Sequence, residues 1–156
     1  MKLNYIGIVG AIIAFVSIAL PWWTESAGGL SYDLKLYDAG ILGATLNYWY
    51  GWVALLFVVL GGVLGLAGSV MSNGKRIVMG GGILALIAII IFPVGFQMDL
   101  MRLNATISIF NSGTVSAYLS YGFWLALVAA IIMLVAMRYP KPTAQAPSAP
   151  PPTPTT

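Results

Sequence analysis

The sequence predicts an all-α membrane protein: a four-helix transmembrane bundle with both termini cytoplasmic and a small extracellular β-rich cap from its two outer loops. Three observations carry that prediction. Of 156 residues, 60% are hydrophobic and 7% charged, against about 25% charged in an ordinary soluble domain. The apolar residues fall into four long stretches without a charge in their middles. The charges that flank those stretches are sorted by side. Lys2, Lys75, Arg76, Arg138 and Lys141 occupy alternate gaps with no acid among them, and Glu25, Asp33, Asp38 and Asp99 fall in the other two with Lys35 and Arg102. The sides carry +5 and −2, which sum to the net +3. Basic residues are retained on the cytoplasmic side, so the cation-only side is the inner one and the chain is expected in the plasma membrane as a multi-pass protein.

Span 1 is expected over about 3–22. Lys2 and the apolar run after it also have the pattern of a secretory signal, with 27–29 as a cleavage site. The run is as long as a full span, and we read it as a retained helix. Gly7, Gly10 and Ala14, with Ala11 and Ser17, put small residues on one helical face, where backbones approach closely. Pro21 should end the helix, and Trp22 and Trp23 suit the headgroup belt.

The first outer loop covers about 23–47. Residues 31–37 alternate polar and apolar, a strand period, between turn signals at Gly28-Gly29 and Asp38-Ala39-Gly40. Residues 41–46 suit a strand, an interfacial segment or an early start to the next helix. Span 2 is expected over 48–70, with Trp49 and Trp52 in a second aromatic belt and a small stripe at Gly61, Gly65 and Ser69. The few residues at 72–76 require an antiparallel hairpin with span 3, expected over 77–97. Gly81 and Ala85 give span 3 its small face, and Pro93 should kink it or loosen its last turn. The second outer loop, about 98–118, holds strand formers at 105–110 and 114–118 around an Asn111-Ser112-Gly113 turn. Span 4 is expected over 119–137, with Gly122 and Ala126 on its small face and Trp124 in the belt. Tyr32, Tyr37, Tyr48 and Phe110 are the expected packing set of the cap. Residues 1–138 then form the transmembrane domain. Residues 139–156, rich in Pro, Ala and Thr, form a disordered cytoplasmic tail with nothing to build a core from.

The chemistry is narrow. The chain has no His and no Cys, so the common ligands of haem, zinc and iron–sulfur centres are missing, and no metal or cofactor site is expected. No ionisable residue lies mid-span, which argues against a pump or proton-coupled transporter. No phosphate-binding loop or nucleophile elbow is present, and no basic cluster is dense enough for nucleic acid. Asp99 with Arg102 reads as a solvated i, i+3 pair and Met98 with Met101 as packing. Asn104-Ala105-Thr106 is a glycosylation acceptor on the expected outer side. The small-residue stripes read as the internal seam, with homo-oligomer contacts as the alternative.

The layout of four spans, both termini inside, and an outer sheet with Trp22-Trp23 after span 1 and Trp49 near span 2 resembles the claudin-like tetraspan architecture. It also resembles small prokaryotic four-helix membrane proteins with Pro-Trp-Trp after the first span. The claudin first loop carries Gly-Leu-Trp and a Cys pair; this chain has Gly29-Leu30-Ser31, no Cys and a shorter loop. The resemblance implies the layout and not barrier function. The expectation is a non-catalytic structural or accessory subunit, bound to membrane lipids and to other membrane subunits or copies of itself. A small homo-oligomeric channel for neutral solutes is the alternative, and an accessory to a lipid or quinone site is a weaker one.

Overall fold

The computed structural model describes residues 3–27, 30–38, 49–102 and 116–138. Helices dominate: α1 (Tyr5–Ala19), α2 (Trp49–Val70), α3 (Lys75–Arg102) and α4 (Tyr121–Ala136). Strands β1 (Trp23–Ala27), β2 (Leu30–Leu34) and β3 (Ser116–Leu119) form a small antiparallel sheet in the order β2-β1-β3. The expected tail, the acceptor Asn104, the segment at 41–46, the turn at 111–113, Tyr48 and Phe110 lie outside the described residues.

Local chemistry sets the helix boundaries. Asn4 caps α1, its side-chain oxygen accepting from the Gly7 N–H at 3.2 Å. Leu20 precedes a proline and is extended, so α1 stops at Ala19 and residues 20–22 leave as a non-helical segment. The expected span 1 is therefore shorter at both ends. The turn between α2 and α3 is closed by Gly74 N–H to Met71 O at 3.3 Å, and α3 starts at Lys75, two residues early. α3 also runs on through Pro93 to Arg102. Residues 98–102 are thus helical, not loop. Residue 119 ends β3, and α4 begins at Tyr121.

α1 packs on α2 and α4, and α3 packs on the same two, giving a four-sided bundle. Neighbours run antiparallel. The start of α1 meets the ends of α2 and α4, through Asn4 N–H to Ser69 O at 3.0 Å and Asn4 Nδ2 to Ala136 O at 3.2 Å. The short turn after α2 lies at this same end, the turn end. At the other, the sheet end, the segment after α1 meets the start of α4, with Gly122 N–H to Pro21 O at 2.8 Å.

The sheet begins where α1 ends. Trp22 N–H donates to Leu34 O at 2.8 Å, and Ser120 N–H donates to Trp22 O at 2.9 Å, so one residue bridges both neighbours of β1. Trp23 is paired with Leu34 on one side and Leu119 on the other. The expected strand at 31–37 is corrected to Leu30–Leu34. Residues 35–38 turn instead, with Asp38 N–H donating to Lys35 O and the Asp38 carboxylate accepting from Lys35 N–H, each at 3.2 Å. β1 itself was not expected, because 23–27 reads as an indole anchor followed by polar loop.

Among the described residues two helical stretches, Trp49–Val70 and Lys75–Asp99, are long and apolar enough to cross a membrane, at mean hydropathy 2.4 and 2.7. The rise of α2 and α3 is about 33 and 42 Å, against about 22–24 Å for α1 and α4 and roughly 30 Å of bilayer hydrocarbon.

Candidate functional site

The small residues line the seams between helices. Gly7 faces Ser69 and Val78. Gly10 faces Met133, and a Cβ there would sit 2.8 Å from Met133 Cγ. Gly65 faces Met133 Sδ at 2.7 Å and Ala11 Cβ at 3.0 Å by the same construction. Met133 is fully buried and fills the space these glycines leave on α1 and α2. Gly61 and Gly81 face each other across the seam between α2 and α3, where a Cβ on Gly61 would lie 2.7 Å from Gly81 O and 3.3 Å from Ala85 N. Ala14, Ala85 and Ala126 are fully buried. Ser69 is buried with its hydroxyl returned to Gly65 O at 2.6 Å, as Ser17 returns its own to Ala14 O. These serines satisfy themselves within one helix and spend no polarity on the seam.

Gly122 belongs to a different contact. It was expected on the helix-packing face of span 4. Its neighbours are the segment leaving α1: a Cβ would fall 2.6 Å from Trp22 Cδ1, 2.7 Å from Leu20 O and 2.8 Å from Pro21 O. Gly95, unremarked in the sequence, plays a similar part on α3, where it accommodates the body of Tyr50.

The aromatic residues divide. Trp49, Trp52 and Trp124 are about half exposed, on the outer face of the bundle. Trp22 and Trp23, expected beside them in a headgroup belt, are buried instead. The reason is the sheet, which folds over the end of α1 and carries both indoles inward. Trp22 packs edge-on to Phe92 at 5.3 Å and to Phe123 at 5.8 Å, and Trp23 to Phe96 at 4.7 Å. Tyr50 meets Phe92 and Phe96, each at 6.0 Å. The Trp22 indole N–H donates to Ser17 O at 3.0 Å, whereas that of Trp23 finds no acceptor among the described residues. Leu34 and Leu36 close the cluster from the sheet side. Tyr32 and Tyr37, expected to pack the cap, are exposed on it.

Polar groups gather at the same end. Thr24, buried on β1, donates to the Asp33 carboxylate at 2.7 Å. Asp99 is 6% exposed, so the acid of the expected solvated pair is corrected to a buried one. The side chain of Arg102 lies outside the described residues. Pro93 is half-buried in a continuous helix, one residue from Phe92. On the sheet surface, a side-chain hydrogen bond with Tyr37 raises the Lys35 ammonium above its ordinary value, and the ammonium sits 5.6 Å from the Tyr37 ring centroid.

Among the described residues no group of three His, Cys, Asp or Glu side chains is placed to hold a metal ion. The site residues resolve into two assemblies, a set of glycine-lined seams and a sheet-covered aromatic cluster, and both are packing arrangements. No protein-family model matches the chain, and no curated protein shows significant similarity to it.

Proposed function

We propose that this chain is a four-span integral membrane protein, with the turn end cytoplasmic and the sheet end extracellular, and that it serves as a non-catalytic structural or accessory subunit of a larger membrane assembly. One observation carries the reading. The helices bury their small residues and turn their large aliphatic ones outward. Val9, Ile12 and Val16 on α1, Leu56, Leu60 and Val63 on α2, Ile83, Ile90 and Val94 on α3, and Val128, Ile131 and Val135 on α4 are all exposed. Only 39% of the apolar window of α2, and the same share of α3, is buried inside the protein. A core helix of a water-soluble protein is mostly buried, so this outward aliphatic surface supports an apolar solvent around the bundle.

Helix content supports the same reading. α2 holds Gly51, Gly61, Gly62, Gly65 and Gly68, residues that weaken a helix in water. In hydrocarbon the backbone must satisfy itself within the segment, and such helices persist. α1 and α4 are short for a full crossing. The non-helical segment 20–22 beyond α1 and the strand that leads into α4 lengthen both elements at the sheet end.

The channel alternative would use Gly81 and Ala85 to line a neutral path. Both are already packed against Gly61 in the seam between α2 and α3. The outer aliphatic faces and the exposed side of the sheet remain for lipid and partner subunits.

Mild-detergent purification from the native membrane with mass spectrometry tests the subunit reading. Stoichiometric co-purifying proteins are expected; a lone homo-oligomer that gives solute flux in liposomes, altered by Pro93→Ala, overturns it. Topology is tested by impermeant thiol labelling of intact cells. A cysteine at Ser31 should react and one at Asn73 should not.

A further inference from the structure

We propose that the cleft at the turn end, between the start of α3 and the end of α4, binds the phosphate of an anionic phospholipid headgroup. The proposal rests on the membrane reading above. The cleft is about 380 Å³ and is lined by Asn73, Lys75, Arg76 and Met137. That volume falls in the range of small-ligand pockets, roughly 300–1,000 Å³. Its donors suit a phosphate: a guanidinium fork, an ammonium and a carboxamide N–H.

The charge at the cleft is one-signed and favours an anion from outside the chain. Lys75 and Arg76 are the first two residues of α3, and no acid occupies that first turn. The positive end of a helix disfavours cations, so both residues stand in an unfavourable field of their own helix and of each other. All four acids of the chain are Glu25, Asp33, Asp38 and Asp99. The first three are in the sheet and the turn after it, and Asp99 is about 36 Å from Lys75 along α3. None can reach the cleft, and Arg138, which follows Met137 in the chain, is a further cation at the turn end.

A lipid fits better than a free anion because the surroundings are amphipathic. Met137 forms part of the wall, and Val70 and Met71, just before the turn, expose apolar surface for acyl chains. A basic recess flanked by outward-facing aliphatic residues places a headgroup and its tails in register. A choline headgroup brings its own cation and should be discriminated against.

The test uses the full chain in neutral-detergent micelles with added dioleoyl phosphatidylglycerol, dioleoyl phosphatidylcholine or inorganic phosphate, read by native mass spectrometry and by thermal unfolding. Phosphatidylglycerol should remain bound and raise the unfolding temperature, and the other two should not. Lys75→Gln/Arg76→Gln should weaken its retention roughly thirtyfold, while the charge-preserving Lys75→Arg/Arg76→Lys retains it. Equal retention of both lipids, or retention unchanged in the glutamine variant, overturns the proposal. An equal shift with inorganic phosphate also overturns it and assigns the cleft to a soluble anion. If the chain stays folded and monodisperse without detergent, the membrane reading itself fails. A detergent-dependent chain with no preference for phosphatidylglycerol fails the cleft alone.

Discussion

The two ends of this bundle are closed by opposite means. At the turn end the helices come together by removing side chains. Gly68 lies against the turn so closely that a Cβ on it would sit 2.6 Å from Gly74 O and 2.7 Å from Val78 N. Asn4 ties this end together: its side-chain oxygen caps α1, its backbone N–H donates to Ser69 O at the end of α2, and its carboxamide donates to Ala136 O at the end of α4. At the sheet end the interior is filled with rings: Trp22, Trp23, Tyr50, Phe92, Phe96 and Phe123. Close backbone approach leaves nothing to adjust when a side chain is added. A ring cluster tolerates small shifts but loses much when a ring is removed. The glycine contacts should therefore be intolerant of additions and the ring cluster of deletions.

The largest effect should come from the sheet end. Trp22→Ala removes a fully buried indole, two ring contacts and the bond to Ser17 O. A loss of about 3–5 kcal/mol is expected. Thermal unfolding in detergent, followed by far-ultraviolet circular dichroism, measures it. Trp49→Ala, at an exposed position, is the control and should be close to neutral.

Asn4→Ala should come next, at about 1–3 kcal/mol, from the lost cap and the Ala136 carbonyl left unbonded in a buried place. Asn4→Ser restores the cap alone and should recover part of the loss. Full recovery would show that the clasp to α4 contributes nothing.

Additions sharpen the contrast. Gly61→Ala meets the backbone of α3 and should cost about 1–3 kcal/mol, whereas Gly80→Ala has no neighbour within 4 Å and should be neutral. Gly65→Leu should likewise cost more than Val63→Leu, since Val63 faces outward. Equal tolerance of Gly61→Ala and Gly80→Ala would remove the basis of the comparison.

The smallest effect concerns pH. The raised Lys35 pKa favours the charged form in the folded protein, so its contribution is complete below the ordinary value of 10.5 and fades as pH rises through the folded value. Because the ammonium is open to solvent, Lys35→Met should reduce the alkaline loss of stability only slightly. Unfolding temperatures on either side of that pH, wild type against variant, give the difference.

Much of this was legible in the sequence because a local rule sufficed. Four apolar stretches, the proline stop after the first, and the small-residue stripes follow from periodicity and backbone chemistry. The helices lie where those stretches are, and the glycines of α2 sit in seams. Asn4 was not legible, because one of its partners is 132 residues away and a lone amide two residues after a lysine reads as a flank. Gly95 was missed for the same reason, since its function is to receive Tyr50 from another helix. β1 was hidden by its own indole, which is equally suited to a headgroup belt.

The sequence by itself determined that the helices present small residues on one face and aliphatic ones on the other, because side-chain volume and helical period are properties of the chain alone. Tertiary structure decided which surfaces those faces meet. Trp22 and Trp23 became core because residues 20–22 leave α1 extended and a sheet closes over them. Asp99 became buried because α3 continues past Pro93 beneath that sheet's aromatic floor. Burial depends on segments far apart in the chain arriving at one place, and no local pattern of residues encodes that arrival.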